Sequence, residues 1–300
     1  MGCDFPIKAY RTDQVLPSGK RAITFNPLRG LNSSSPFLLP CNNCVGCRLE
    51  RSRQWAVRMT HEAKMHSQNS FITLTYDNQH VPESFGLDLR HWQLFMKKLR
   101  RRTNHRIRFF GCGEYGDQNL RPHYHAILFG HDFDDKKLWK TNGRGDPIFQ
   151  SAFLTDVWSM GFATTQLVVP ESTAYVARYS VKKLAGEARA EKYYRISPVD
   201  GAYHSIRVEF GVMSKRPGIG HTFFDKFRSD LFPSGTVVIN GRVQAIPRYY
   251  LNRLTEEERQ FIQRNQRLKS LPFKEHQTTE RRWARVAVRD ARISNLKRTL

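Results

Sequence analysis

No apolar run in this sequence approaches the roughly 18–20 residues that a membrane span needs, so no membrane partner is expected. The first residues, MGCDFPIKAYR, lack the charged-then-apolar pattern of a secretory signal, and the expectation is a soluble cytoplasmic protein. Cysteine is scarce and odd in number. Cys3, Cys41, Cys44, Cys47 and Cys112 without a secretory signal speak against a disulfide framework and for reduced thiols. The chain has no internal repeat and no low-complexity tract. It also has no Gly-x₄-Gly-Lys-Ser/Thr pattern, which excludes a built-in ATP-driven helicase of that type. The last shortage is of acid: 27 Asp and Glu face 49 Lys and Arg, for a formal charge of +22.

Like charges repel in a compact chain, so an excess of this size points to an anionic partner, nucleic acid first and an anionic membrane surface second. Aromatic residues make up 12% of the chain. Cations that track phosphates beside rings that stack bases suit a single strand. Hydrophobic residues at 39% are enough to bury a core.

Pattern divides the 300 residues into four stretches. Residues 1–50 read as loops and short strands around a cysteine cluster. Residues 51–190 read as an α+β domain on an antiparallel sheet. WAVRMTHEAKM is spaced as a helix from Arg51 to about Met65. Ser70–Tyr76, Arg106–Gly113, His123–Gly130 and Ala163–Val169 read as strands. Asp88 is placed to cap a helix carrying Trp92, Phe95, Met96 and Leu99, and a short helix is expected near Thr155–Met160. Pro170 and Glu171 are placed to start another that runs to about Leu184. Residues 191–250 read as a basic extension of loops and strands. Residues 251–300 read as a basic helical tail, thirteen Lys or Arg against six Asp or Glu, with Thr255 and Glu258 spaced as a capping box.

Three short elements carry chemistry. Strand alternation sets His123 and His125 on one face of a sheet, near enough to hold one metal ion. Glu114, nine positions earlier, joins them if the two strands pair. Two imidazoles and one carboxylate leave open coordination positions for a phosphate oxygen, and Mg²⁺ or Mn²⁺ suits that chemistry. In YVARYSVKK, Tyr175, Tyr179 and Lys182 share one helical stripe, while Ala174, Ala177, Val181 and Leu184 form the opposite one. A phenolate is a competent nucleophile for phosphorus, and Lys182 or Arg178 can favour the ionised form. Lys182 follows Tyr179 by three residues, which favours Tyr179 as the primary nucleophile and Tyr175 as its partner, only modestly because Arg178 follows Tyr175 at the same offset.

CNNCVGC sets Cys41, Cys44 and Cys47 at two-residue gaps on one loop, and Cys3 can complete a tetrahedral zinc site. Iron–sulfur ligation and plain buried thiols are the alternatives. Lys215 and Arg216, in KRPGIG, together with Arg178 and Lys183, are candidate DNA contacts; a tight turn explains KRPGIG equally well.

PHYH with a preceding glutamate, FITLTY and YVARYSVKK resemble the three motifs of HUH endonucleases that initiate rolling-circle replication. LPCNNCVGCRLERSRQWAVRMTHEA, GEYGDQNLRPHYHAILFG, MSKRPGIGHTFF and PRYY extend the likeness over nearly the whole chain, toward the replication initiators of gokushovirus-type microviruses. That resemblance implies a five-stranded sheet and a divalent metal on Glu114, His123 and His125. It implies a two-tyrosine nicking site that leaves a 5′-phosphotyrosine, and a substrate of single-stranded DNA at a phage origin. A host helicase and polymerase in the cytoplasm of a bacterial host would be its partners. A non-catalytic zinc-containing nucleic-acid-binding protein, and an HUH transposase or relaxase, are the competing readings.

Overall fold

The two histidines of PHYH need a rigid backbone beneath them, and the central sheet supplies it. A computed structural model describes residues 2–179 and 193–295, apart from Ser18 and Asp117. The chain forms two compact units: residues 2–51 with 269–295, and residues 52–268.

The smaller unit holds β1 (Ile7–Val15), β2 (Arg21–Thr24) and β3 (Phe37–Leu39) in one antiparallel sheet of order β2-β1-β3. Its C-terminal part contains a helix over Thr279–Ser294, capped by the Thr278 side chain. Helix α1 (Val45–Ala63) begins six residues before the expected start at Arg51. Cys47 therefore stands in a first helical turn and not on a loop with Cys41 and Cys44.

In the larger unit, β4 (Asn69–Tyr76) is followed by α2 (Leu89–Thr103), β5 (Arg108–Tyr115) and β6 (Pro122–Phe129). The hairpin β7 (Lys137–Thr141) and β8 (Pro147–Gln150), then α3 (Ala152–Trp158), β9 (Gly161–Leu167) and α4 (Pro170–Tyr179), come next. Past a short hairpin of β10 (Tyr194–Ile196) and β11 (Tyr203–Ser205), β12 (Phe210–Met213) returns to the sheet. The continuation of α4 expected toward Leu184 lies outside the described residues. Asp88 caps α2 as expected, its side chain accepting from the Arg90 amide. Thr255 and Glu258 form the expected reciprocal box at the start of the helix Glu256–Ser270.

The sheet is wholly antiparallel, as read, but it has seven strands and not five, in the order β12-β5-β6-β4-β9-β8-β7. The difference has a physical cause. In β7, KLWKT, every residue is exposed and the two apolar residues, Leu138 and Trp139, are adjacent, so no alternation marks a buried face. β12 is four residues long and pairs with β5, about a hundred positions earlier, so no local pattern announces it.

Both faces of the sheet carry buried apolar residues, which is why AILF reads as a continuous apolar run. Ile72, Leu74, Tyr124, Ala126 and Leu128 pack on α2 and α3, against Trp92, Phe95, Leu99 and Trp158. Phe71, Phe110, Ile127 and Phe129 pack on the opposite face, against Met59 of α1 and Val176 and Ala177 of α4. His123 and His125 share this second face.

A third cluster joins Val57, Phe224, Leu231, Val237 and Tyr250. His61 is built into its edge, only 2% exposed, with Nδ1 3.0 Å from the Tyr250 hydroxyl and its ring stacked at 3.8 Å on Phe223. Burial, assisted by the charge of Lys64, holds this imidazole down at about 4. In an unfolded chain it protonates near 6.5. As pH falls between those values, the unfolded chain takes up a proton that the folded one refuses, so the contribution is complete above about 6.5 and lost on the way to about 4. We expect the thermal midpoint to fall across that window. His61→Phe should flatten the dependence while costing about 1 kcal/mol at pH 7 for the lost hydrogen bond; melting curves at several pH values read both.

Candidate active site

Antiparallel register does the positioning. Glu114 of β5 stands opposite His123 of β6, and Cys112 opposite His125, so all three polar side chains rise from one face of adjacent strands. β4 flanks β6 on its other side, with Thr75 opposite His123 and Thr73 opposite His125.

Both imidazoles converge on one carboxylate oxygen. His123 Nε2 lies 2.9 Å and His125 Nε2 2.8 Å from Glu114 Oε1. Glu114 is 3% exposed. Burial alone would push its carboxyl up, but the charge and hydrogen bonds of His125 and His123 outweigh it and hold it down at about 2. The far side of each ring is also fixed. His123 Nδ1 donates to the Arg121 carbonyl at 3.0 Å, and His125 Nδ1 meets Thr73 Oγ1 at 2.9 Å. A ring held through Nδ1 is left with Nε2 as its metal-binding atom. Phe71 stacks against His125 at 5.5 Å and keeps that ring upright.

Tyr175 enters from α4. Its hydroxyl donates to the same Glu114 Oε1 at 3.0 Å and lies 3.5 Å from His125 Nε2. Its ring stands edge-on to His125. Val176 and Ala177, both buried, seat this turn of the helix on the sheet.

The donor set could hold a divalent cation. One nitrogen from each ring and a carboxylate oxygen come within 4.8 Å of one another. Neighbouring donors around an octahedral ion with bonds of about 2.1 Å are about 3 Å apart, close to the separations seen here. Glu114 Oε2 is buried with no hydrogen-bond partner among the described residues, as a ligand atom would be.

The smaller unit contains a second, softer donor set. The thiols of Cys3, Cys41, Cys44 and Cys47 come together within 4.8 Å, including the distant Cys3. Cys3 Sγ lies 3.5 Å from Cys41 Sγ and 3.8 Å from Cys44 Sγ. Sulfurs of a zinc tetrahedron with 2.3 Å bonds are about 3.8 Å apart. Backbone amides of Cys41, Asp4 and Cys44 donate to Cys3, Cys44 and Cys41 sulfurs at 3.2–3.3 Å. Burial raises the Cys41 thiol, yet amide hydrogen bonds from Cys44 and Asn43 prevail and bring it to about 7. Asp4 braces the cluster. Its carboxylate takes the Gly46 amide at 2.8 Å and an ion pair from Arg289 of the C-terminal helix. A side chain at Gly46 would meet the Gly2 carbonyl at 2.6 Å.

Of the other expected residues, Arg178 is exposed with its guanidinium 5.7 Å from the Tyr175 ring. Tyr179 ends α4, but its side chain, with Lys182 and Lys183, lies outside the described residues. Lys215 and Arg216 are not at this centre. They follow Met213, which pairs with Phe110, and they line a separate cavity with Arg100, Arg106 and Arg108. Sequence reading passed over Thr73 and Asp4. The signal for Thr73 was its position two residues before Thr75 on the same strand face, legible only once the β4–β6 register is known.

Two metal centres should therefore be separable. His123→Ala with His125→Ala is expected to abolish Mn²⁺ uptake in calorimetry and leave zinc content unchanged. Cys41→Ser with Cys44→Ser should do the reverse in elemental analysis. Thr73→Val, which removes only the support behind His125, should weaken Mn²⁺ binding about ten-fold.

The family of replication-associated protein ORF2/G2P matches residues 69–184, a span that includes β4, β5, β6 and α4. The replication-associated protein of Bdellovibrio phage phiMH2K is 33% identical over 261 residues, covering 83% of this chain and 76% of that protein. That of Chlamydia phage 1 is 33% identical over 85% of this chain and 64% of its own length. That of Spiroplasma virus 4 is 30% identical, over 73% of this chain and 68% of its own length. No solved structure matches the chain at a significant level. With a third of its residues shared along most of its length, the chain belongs to the family of microvirus replication-associated proteins, the gokushovirus-type replication initiators.

Proposed function

We propose that the protein is a metal-dependent DNA endonuclease and strand transferase that starts rolling-circle replication by nicking single-stranded origin DNA. The carrying observation is the Tyr175 hydroxyl, hydrogen-bonded to the same Glu114 oxygen on which both imidazoles converge. A packed core tyrosine has no reason to stand in a buried, charged donor set.

In this reading residues 51–190 are the nicking domain. The site fits Mg²⁺ or Mn²⁺ on Glu114, His123 and His125; such an ion would polarise the scissile phosphate and stabilise charge on its oxygens. The chain's own groups do the rest. The phenolic oxygen of Tyr175 forms a bond to phosphorus as the bond to the 3′ oxygen breaks. The phenolic proton is released and the departing oxygen takes one up, leaving a free 3′-hydroxyl and a 5′-phosphotyrosine. Because the new ester keeps the energy of the old one, a later 3′-hydroxyl can reverse the step and reseal the strand without ATP. Tyr179, one turn on, is the second nucleophile, with Lys182 as the cation that favours its phenolate. The contact to Glu114 supports Tyr175 for the first attack, the reverse of the order that the Lys182 offset favours.

Arg178 and Lys183 beside the tyrosines, and Lys215 and Arg216 in the cavity with Arg100, Arg106 and Arg108, are proposed to hold backbone phosphates. Zinc on the four thiols would fasten the N-terminal segment to the basic C-terminal helix through Asp4 and Arg289. A host helicase and polymerase, in the cytoplasm of the bacterial host, would complete replication.

Incubation with circular single-stranded DNA and Mn²⁺ should yield a protein–DNA adduct stable on a denaturing gel. Peptide mapping is expected to find the nucleotide on Tyr175. Tyr175→Phe should reduce the first cut by at least about a hundred-fold, while Tyr179→Phe permits one cut and blocks the second transfer. A nucleotide mapped to Tyr179 would reverse the roles, and none on either residue would discard the mechanism.

A further inference from the structure

The cavity over the Glu114 centre extends beyond the metal ligands. From His123, His125 and Tyr175 it runs across the sheet to Thr164 and Gln166 of β9 and ends at two aromatic side chains, Phe162 and Trp139. Neither belongs to a motif that the nicking reading uses.

Phe162 and His123 are held by one row of the sheet. Thr75 pairs with His123 on one side and with Phe162 on the other. Residues directly opposite share a face, and two strand spacings amount to about 10 Å. Phe162 therefore rises on the face of the imidazoles, within reach of the nucleotides that flank a phosphate bound there. Its strand is anchored by Gly161, whose φ of +134° and close approach to the Asp77 amide, 2.3 Å from where a Cβ would lie, admit no side chain.

Trp139 owes its position to a break in pairing. On β7, Leu138 pairs with Phe149 and Lys140 with Ile148, so Trp139 is the extra residue of a bulge. Bulges beside active sites re-aim side chains. Here the indole lines the catalytic cavity, with the Lys140 ammonium 4.2 Å from its ring.

Both rings are open to solvent, Trp139 51% and Phe162 67% exposed. A single exposed aromatic needs no explanation, but two bordering one cavity beside a charged donor set do. Arg121 and Lys140 line that cavity, and no Asp or Glu is among its described lining residues. Cations for phosphates and open rings beside them are the composition of a single-strand platform.

We propose that Trp139 and Phe162 form a nucleobase-binding subsite, stacking unpaired DNA bases next to the phosphate to be cut. Paired bases have both faces covered by neighbours, so the subsite selects melted or single-stranded DNA over duplex. Asn119 and Gln166, on the same cavity, offer amide groups to the edges of the stacked bases. The term "phosphate to be cut" rests on the nicking reading; the stacking itself does not.

The test is binding of the full chain without added Mg²⁺ or Mn²⁺, read by fluorescence anisotropy. The probes are a labelled short oligothymidylate, an abasic strand of equal length, and a duplex. Wild type should prefer the oligothymidylate to both. Trp139→Ala with Phe162→Ala should lose about ten-fold or more in oligothymidylate affinity and nothing for the abasic strand. Trp139→Phe with Phe162→Tyr should restore the preference. Leu138→Ala with Leu167→Ala, equally exposed but outside the cavity, should leave it intact. Equal binding of abasic and base-bearing strands by wild type, or an unchanged preference in the double alanine variant, overturns the proposal. A protein that keeps the preference but forms no Mn²⁺-dependent adduct upholds the subsite and overturns the nicking reading instead.

Discussion

One buried carboxylate oxygen organises the larger unit. Glu114 Oε1 accepts from Tyr175 and lies within 2.9 Å of His123 Nε2 and His125 Nε2, so two strands and a helix meet on a single atom. A lone carboxylate at this depth would cost several kcal/mol, and it stays ionised only because two imidazoles face it. The fold cannot relax away from that arrangement. Phe71, Phe110 and Ile127 pack beneath the polar row, and Val176 and Ala177 lock α4 over it. Close-packed apolar residues thus supply the rigidity that the donor set requires, and the donor set dictates the register in which they pack.

Much of this was legible because the local signals were strong. Ser70–Tyr76 and His123–Gly130 combine β-branched and aromatic residues with turn residues at their ends, and both formed strands within about a residue or two of expectation. Asp88, Thr255 and Glu258 cap helices by a chemistry that depends on two or three neighbouring positions. The convergence of Glu114 with the histidines followed from alternation once a hairpin was assumed. The distant Cys3 joins the cysteine triplet because four soft donors in one reduced chain have few other ways to be satisfied.

What stayed hidden was set by tertiary context. β7 has no buried face, and its contribution, Trp139, depends on a bulge that no local pattern announces. β12 joins the edge of the sheet from about a hundred residues away. The helical stripe treats Tyr175 and Tyr179 alike, since both are separated from a cation by three residues. The packing of α4 against β5 and β6 is what brings the Tyr175 phenol to Glu114. The beginning of α1 moved into the cysteine motif for a related reason: the Asp4 carboxylate takes the amide of Gly46 and holds the first turn in place.

The large positive charge is more than a count of basic residues, because several acids are withdrawn from the surface. Asp4 is committed to Arg289 and the Gly46 amide. Glu62 is committed to Arg108 and the Gly220 amide, and Glu114 to the histidines. Each of these carboxylates is buried, so its field is spent on partners within a few ångströms. Other cations, among them Arg100, Arg106, Lys215 and Arg216, and Arg121 and Lys140, line two cavities with no Asp or Glu among the described lining residues. A polyanion meets an attractive surface long before it meets the site. Attraction of this kind is general to any strand and is weakened by salt. Selection among strands has to come from groups that sense something other than charge, and near Glu114 those groups are the open rings of Trp139 and Phe162.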